Sequence, residues 1–266
     1  MLLIPIIIIV LLVLWLFLIA PKKREMMNKY KGLYYAHRGL HNSERAENSM
    51  SAFKAAVDSG YGIELDIRLA KDGKLVVFHD DTLDRVCGRS GKVIDFTAND
   101  LSKFKLNGTN EGIPLFADVL KMVDGRVPLL VEIKEDPGVS AVSEAACRML
   151  SEYKGEFIVE SFNPLSLNTV KKKKPEFIRG ILSHRYYAYE QYKKPLYFAL
   201  QSLLLNFICR PAFIAYDHKH ADSFALNLTR GFFRVPTLAW TVRSEEEEKV
   251  AREKGFDGII FENYLP

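Results

Sequence analysis

The sequence has few cysteines and little net charge, and each scarcity excludes a class of protein. Its 266 residues include three cysteines, Cys87, Cys147 and Cys209, which are odd in number and widely spaced. They make neither a disulfide framework nor a zinc pattern, so a reducing compartment is the simpler expectation. The formal net charge of +4 gives no argument for binding nucleic acid. With 48% hydrophobic residues, the chain can form one large domain with a full core.

The start of the chain is a long run without charge. From Met1 to Ala20 the residues are apolar apart from Pro5, and the first charged side chain is Lys22. This length matches the roughly 20 residues that a helix needs to cross the hydrocarbon core of a bilayer. A cleaved signal peptide is the alternative, but residues 18–21 make a poor cleavage site. The sequence therefore predicts an uncleaved transmembrane helix, with residues 1–21 as the anchor.

Basic residues follow this run directly. Lys22, Lys23, Arg24, Lys29 and Lys31 fall in a linker over residues 22–32. Positive charge beside a membrane span favours the cytoplasmic side. We therefore expect a single-pass membrane protein whose domain, residues 33–266, faces the cytoplasm.

Beyond the linker, strand-like and helix-like segments alternate. Short β-branched or aromatic runs, such as 33–36 and 258–261, are separated by segments with helical apolar spacing, such as 48–57. Eight strands are counted if the short run before His79 is left out. Repeated strand-helix units of that number predict a (β/α)8 TIM barrel rather than an open sheet.

Two segments depart from this alternation. Residues 82–112 are polar and irregular, which predicts a long excursion with little core. Residues 184–210 are rich in tyrosine and then in leucine and phenylalanine. The simpler interpretation of the second segment is a core-facing barrel helix with a connecting turn. The alternative is an amphipathic stretch that faces a membrane.

Two carboxylates lie close together in the second predicted strand. Glu64 and Asp66 are two residues apart, so their side chains point to the same face of the strand. They alternate with Ile63, Leu65 and Ile67, which predicts that the apolar residues face the helices and the carboxylates face the barrel interior. Burying unpaired carboxylates costs roughly several kcal/mol each, so a compensating cation is expected.

Further polar residues come at the ends of neighbouring strands. His37 ends the first strand, His79 ends the short run, and Glu132 lies two residues before Lys134 in the next strand. In a barrel such groups gather at the C-terminal ends of the strands. Carboxylate oxygens suit Mg²⁺ or Ca²⁺ rather than zinc, and histidines can move protons. Arg38 and Lys134 would supply the positive charge that a phosphate ester needs in its transition state.

Ordered motifs over nearly all of the chain after the linker resemble those of the glycerophosphodiester phosphodiesterase family. They are Tyr35-Ala36-His37-Arg38-Gly39, Glu47-Asn48-Ser49, Glu64-Leu65-Asp66-Ile67-Arg68-Leu69, Lys71-Asp72-Gly73, Val77-Phe78-His79-Asp80, Val131-Glu132-Ile133-Lys134, Ser161-Phe162, Trp240-Thr241-Val242 and Phe256-Asp257-Gly258-Ile259-Ile260.

This resemblance implies a TIM barrel, divalent-metal-dependent cleavage of a phosphodiester, and a role for each matched residue. Three carboxylates would hold one divalent cation, Mg²⁺ or Ca²⁺, namely Glu64, Asp66 and Glu132. Two histidines would act as general base and acid, namely His37 and His79. Four more residues would hold phosphate, fix the site or wall the alcohol pocket, namely Arg38, Lys134, Glu47 and Trp240.

Departures from the family pattern are small. Ser49 stands where threonine is common, and Arg243 stands where asparagine is frequent. Asn263 replaces a usual acidic residue after the last strand. The last two lie near the expected substrate rim, so they bear on specificity more than on chemistry.

The expected function is metal-dependent hydrolysis of glycerophosphodiesters to an alcohol and glycerol 3-phosphate at the membrane surface. The alternative is lysophospholipase D-type cleavage of lysophospholipids or of a lipid-linked glycerophosphate, which anchoring would make accessible. A non-catalytic, membrane-tethered binding module is the third hypothesis. It is disfavoured because a decayed site usually lacks a histidine or a carboxylate, and both kinds of residue are retained.

Overall fold

The computed structural model describes residues 3–22, 28, 30–135 and 138–266. The strands are β1 (Tyr34–Ala36), β2 (Gly62–Leu69), β3 (Leu75–Val77), β4 (Leu129–Ile133), β5 (Phe157–Ser161), β6 (Arg179–Ser183), β7 (Phe213–Asp217), β8 (Thr237–Val242) and β9 (Gly258–Phe261). The helices are α1 (Leu3–Ile19), α2 (Met50–Asp58), α3 (Asp84–Cys87), α4 (Ala98–Leu101), α5 (Phe116–Val123), α6 (Ala141–Glu152), α7 (Pro164–Lys173), α8 (Pro195–Gln201), α9 (Asn206–Cys209), α10 (Phe224–Phe233) and α11 (Glu245–Glu253).

The strands close into a barrel. Eight of the described strands run parallel in the order β1-β2-β4-β5-β6-β7-β8-β9, and β9 pairs back onto β1. The remaining strand, β3, pairs antiparallel with the C-terminal half of β2 as a hairpin outside the barrel. The predicted barrel, with the hairpin strand left out of the count, is confirmed.

Strand β2 divides its side chains between two environments. Ile63, Leu65 and Ile67 are fully buried in the layer between the sheet and helices such as α2 and α5. Glu64 and Asp66 alternate with them and are buried on the opposite face, towards the barrel interior. A separate apolar cluster from the inner faces of the strands, which includes residues of β1, β4, β5, β7 and β9, fills the barrel.

The excursion at residues 82–112 has more core than its composition predicted. It contains the short helices α3 and α4, and its apolar side chains form a cluster of their own with the hairpin strand. Leu83 and Leu101 are fully buried there. The prediction of little core was wrong because the apolar residues are irregularly spaced and meet only after the chain folds back on itself.

The segment after β6 forms the predicted core-facing helix only at its end, where Asn206 and Cys209 of α9 are buried. It consists of two short 3₁₀ turns followed by α8, which has no buried residue, and α9. Its tyrosines contact one another and His184 instead, with ring centroids 3.9 Å apart for His184 and Tyr186 and 4.7 Å apart for Tyr192 and Tyr197. The segment is therefore an insertion of mutually packed rings on the face where β6 ends.

The N-terminal helix is shorter than the predicted anchor. Helix α1 covers 17 residues, about 25 Å at 1.5 Å per residue, whereas the hydrocarbon core of a bilayer is about 30 Å thick. Within the described ranges, no helix has both the length and the apolar character to cross a membrane. The expectation of a single-pass membrane protein with a cytoplasmic domain was therefore wrong, and anchoring through this helix is not supported.

The C-terminal end of α1 packs on the barrel. Ile19 is fully buried, and its carbonyl accepts a hydrogen bond of 3.0 Å from the Asn206 side chain. Trp15 stacks on Phe224 with ring centroids 5.7 Å apart. The division into residues 1–21, 22–32 and 33–266 stays a prediction, and Lys23, Arg24 and Lys29 of the linker lie outside the described residues.

Candidate active site

The predicted site residues converge on one end of the barrel. His37 and Arg38 follow β1, Glu64 and Asp66 lie on β2, and Glu132 lies on β4. A cavity of about 190 Å³ opens where these strands end. Seven of the nine predicted residues line it, namely His37, Arg38, Glu64, His79, Glu132, Lys134 and Trp240.

Three carboxylates are crowded beside this cavity. Glu64, Asp66 and Glu132 are buried, and each offers one oxygen within 4.8 Å of the others. Burial and the neighbouring acids raise the pKa of Glu64 well above its usual range. Burial also raises the pKa of Glu132 to about 7, although Lys134 opposes the rise. The three groups can all be ionised near neutral pH only if more positive charge reaches them.

Asp66 is the exception among the three. Burial alone would raise the pKa of this carboxyl, but Lys134, His79 and Arg38 outweigh that effect and hold the pKa well below its usual range. The Lys134 ammonium lies 3.2 Å from Asp66 Oδ1 and 2.7 Å from Glu132 Oε1. Asn48 donates a further hydrogen bond of 2.8 Å to Asp66. The basic neighbours thus favour the ionised form of this carboxylate.

The donor set of this group fits a hard divalent cation. All three ligand atoms are carboxylate oxygens, which Mg²⁺ and Ca²⁺ prefer, and no sulfur or imidazole belongs to the group. The raised pKa values of Glu64 and Glu132 are also expected for buried carboxyl groups that lie close together without a cation between them. These residues could therefore hold one metal ion.

Each predicted catalytic histidine is oriented by a carboxylate. His37 Nδ1 lies 2.5 Å from Glu262 Oε2, and His79 Nδ1 lies 2.6 Å from Asp80 Oδ1. A carboxylate at Nδ1 places the ring proton there and leaves the lone pair on Nε2. Burial lowers the pKa of His37, and burial lowers the pKa of His79 to about 4. Both rings are neutral at pH 7 and can accept a proton.

Comparisons with known proteins identify the family of the chain. The sequence profile of the glycerophosphoryl diester phosphodiesterase family matches residues 37–264. The chain is 32% identical to a glycerophosphodiester phosphodiesterase from Caldanaerobacter subterraneus subsp. tengcongensis over 244 residues. That alignment covers 86% of this chain and 93% of the relative. The chain belongs to the glycerophosphoryl diester phosphodiesterase family. Its members are phosphoric diester hydrolases, and this chain is one of them.

Two further similarities extend the comparison. An Oleispira antarctica phosphodiesterase, solved in complex with the product sn-glycerol-3-phosphate, matches with a TM-score of 0.72 and 20% identity, over 88% of this chain and 94% of that one. At this identity the match supports the fold alone. A lysophospholipase D from Rattus norvegicus is 29% identical over 150 residues, which cover 52% of this chain and 45% of the relative.

Glu262 is a residue of this phosphodiesterase that sequence reasoning missed. It follows β9 directly and holds His37 through Oε2, while its Oε1 accepts a hydrogen bond of 2.8 Å from Arg243 Nε. The expectation placed a missing acid at position 263, where Asn263 stands. The acidic residue is present one position earlier. Its place immediately after the last strand was the signal that could have identified it.

A second missed residue, Arg85, connects two parts of the site. Its guanidinium donates to both oxygens of Glu47, at 2.8 and 2.7 Å, and to both oxygens of Asp80, at 2.7 and 3.0 Å. Glu47 in turn accepts a bond of 2.7 Å from Arg38, and Asp80 orients His79. Arg85 thereby fixes residues on both sides of the cavity. No local sequence pattern predicts this role for Arg85.

Two aromatic residues, Phe162 and Trp240, form part of the cavity wall. Trp240 and Phe162 meet edge to face with centroids 5.5 Å apart, and His184 lies 6.1 Å from Trp240. Glu160 of β5 also lines the cavity, and it was not among the predicted residues. Burial and the carboxylates of Glu132 and Glu64 raise its pKa well above the usual range.

We expect Glu262→Gln to lower the pKa of His37 further, because the carboxylate stabilises the protonated ring and an amide does so less. An NMR titration of the His37 ring measures this pKa directly. The exposed Glu253→Gln on α11 is the matched control and should leave the titration unchanged. An unaltered or raised pKa in Glu262→Gln would show that Glu262 does not support the charge on His37.

Proposed function

We propose that this protein is a divalent-metal-dependent glycerophosphodiester phosphodiesterase that releases an alcohol and glycerol 3-phosphate. The observation that carries the proposal is the group of three carboxylates within 4.8 Å of one another, placed in the same cavity as two oriented histidines. Similarity to enzymes of that name over most of the chain supports the substrate class.

The metal would be held by Glu64, Asp66 and Glu132, and oxygen-only ligation favours Mg²⁺ or Ca²⁺. When bound, it supplies positive charge that polarises a phosphoryl oxygen. It also compensates the carboxyl groups whose pKa values burial raises, so all three become ionised. Binding of the ion and ionisation of the carboxyl groups that hold it would therefore be coupled.

The basic residues of the cavity would bind the rest of the phosphate. Arg38 Nε is a buried donor with no hydrogen-bond partner among the described residues, and its side chain lines the cavity. Glu47 holds the other end of the guanidinium through Nη1. Arg38 Nε also lies 3.6 Å from Asp66 Oδ2, so two carboxylates hold the guanidinium at the edge of the cavity. Arg38 thus presents a positive charge to a phosphoryl oxygen, while Lys134 adds a second one beside the carboxylates.

The histidines would carry the protons of the reaction. His37 is neutral because burial lowers its pKa, so its Nε2 can take a proton from the water whose oxygen forms the new bond to phosphorus. His79 would give a proton to the oxygen of the leaving alcohol. An anionic phosphodiester beside His79 favours its protonated form, which offsets the effect of burial on its pKa.

A second candidate substrate class is favoured by the aromatic insertion after β6. Ring contacts run without a break from Trp240 in the cavity through His184 to Tyr192 and Tyr197. Such a surface would accept the acyl chain of a lysophospholipid, and the partial similarity to a rat lysophospholipase D agrees with this. No membrane anchor is part of either proposal.

The two substrate classes are separated by choline release. With the purified protein and added Mg²⁺ or Ca²⁺, we expect kcat/KM to be higher for glycerophosphocholine than for lysophosphatidylcholine. The two release the same alcohol, but the acyl chain of the lysophospholipid does not fit inside a cavity of about 190 Å³. The reverse order would favour the lysophospholipid. No release of choline from either compound would contradict the proposed function.

We expect Glu64→Gln to lower activity on glycerophosphocholine by about 10²-fold or more and to raise the metal concentration needed for half-maximal rate. The amide keeps the shape of the side chain but removes one charge from the ligand set. Initial rates measured against metal concentration give both quantities. Glu253→Gln, a surface change of the same kind, should match the unmodified protein. An unchanged metal requirement in Glu64→Gln would remove Glu64 from the metal site.

A further inference from the structure

A second group of metal-ligating side chains includes one of the catalytic histidines. His37, His41 and Glu262 each offer one ligand atom, and these three atoms lie within 4.8 Å of one another. In the described part of the chain, the three carboxylates at the cavity form the one other group of this kind. His37 and Glu262 already have a place in the chemistry described above, whereas His41 has none.

The turn after β1 brings the two histidines to the same carboxylate. Arg38 and Gly39 have φ angles of 56° and 80°, and the backbone N–H of His41 donates a hydrogen bond of 2.9 Å to the Gly39 carbonyl. A Cβ at residue 39 would lie 2.9 Å from the backbone of α2, so this turn requires glycine. Both imidazoles therefore reach Glu262, which follows β9.

The Nε2 atom of His41 has the position of a metal ligand. It is buried, and it has no hydrogen-bond partner among the described residues. It lies 3.9 Å from Glu262 Oε2, which is too long for a hydrogen bond, whereas His37 Nδ1 lies 2.5 Å from the same oxygen. Two ligand atoms of a tetrahedral zinc ion are about 3.3 Å apart. Small movements in opposite directions would therefore arrange all three atoms around one ion.

The donor set of this group differs from that of the carboxylates. Two imidazole nitrogens and one carboxylate oxygen are ligand types that zinc prefers, while Mg²⁺ and Ca²⁺ prefer oxygen alone. The side chains of His37, His41 and Glu262 are 16%, 19% and 13% exposed, so an ion can reach them from solvent. Arg243 binds the other oxygen of Glu262, Oε1, and thereby leaves Oε2 for the ion.

We propose that His37, His41 and Glu262 form a zinc site, and that an ion bound there inhibits hydrolysis. The inhibition rests on the proposed function, whereas the binding does not. Zinc at His37 Nδ1 needs the lone pair of that nitrogen, so the ring proton moves to Nε2. His37 stays neutral, but its Nε2 becomes a donor and can no longer take a proton from water. The ion also separates Glu262 from the ring that it orients.

Calorimetric titration of the whole chain with Zn²⁺, in excess Mg²⁺, tests the binding. We expect one zinc ion per chain at a site whose affinity does not fall as more Mg²⁺ is added. Loss of a partner outside the ligand shell already costs about 10–100-fold in metal affinity. His41→Gln and His41→Ala remove a ligand and should therefore weaken zinc binding about 10²-fold or more. The two variants differ in size, so one of them serves if the other fails to fold.

His220→Gln is the matched control. His220 Nδ1 lies 2.9 Å from Asp217 Oδ2, and its side chain is 22% exposed, so it is also a half-buried imidazole beside a carboxylate. It does not belong to the group around Glu262. Its replacement should leave the zinc affinity unchanged.

Rates of choline release from glycerophosphocholine, with and without Zn²⁺ at a fixed excess of Mg²⁺, test the inhibition. Each variant is compared with its own rate in the absence of zinc. Loss of the general base should slow the unmodified protein and His220→Gln about 10²-fold, and extra Mg²⁺ should not restore the rate. His41→Gln should keep most of its rate at the same zinc concentration.

Several outcomes would overturn the inference. Unchanged zinc affinity in both His41 variants would exclude His41 as a ligand. Zinc binding or inhibition that weakens as Mg²⁺ is raised would place the ion among the carboxylates of the cavity instead. Zinc binding at His41 without slower hydrolysis would exclude the inhibition. Absence of hydrolysis by the unmodified protein without zinc would contradict the proposed function, while the calorimetric titration would still decide the zinc site.

Discussion

The structure depends on the placement of like charges at the end of the barrel where the cavity opens. Adjacent parallel strands β2 and β4 are in register, so Asp66 lies opposite Glu132 and Glu64 points to the same interior. The barrel cannot separate these carboxyls without breaking the register, and apolar layers on both sides keep water away. Their mutual repulsion is therefore built into the fold, and a divalent cation held by them would relieve it. The surrounding basic residues lower the repulsion without removing it.

The rest of the site is organised around this charge. Each histidine receives a carboxylate at Nδ1 from a different part of the chain, Glu262 after the last strand and Asp80 after the hairpin. Arg85, from the excursion, donates hydrogen bonds to two carboxylates. One is Asp80, which orients His79, and the other is Glu47, which holds Arg38. These ion pairs between basic and acidic side chains both fix the positions of the site residues and balance their charges.

The contacts that could be predicted from sequence are those set by local periodicity. Glu64 and Asp66 alternate with apolar residues, and this was enough to place them in the barrel. Glu262 and Arg85 act across more than 200 and nearly 40 positions, so no local pattern reports their partners. The buried cluster around Leu101 was missed for the same reason. The length of α1 was overestimated because apolar composition extends past the residue where the helix ends.

The most direct test of the central claim is calorimetric titration of the protein with Mg²⁺ or Ca²⁺ near pH 7 in buffers of different ionisation enthalpy. Burial raises the pKa of Glu132 to about 7 and that of Glu64 well above its usual range, so ionising these ligands must release protons when the metal binds. The account predicts one bound ion per chain together with net proton release that decreases as the pH is raised. Absence of saturable binding, or binding without proton release, would contradict it.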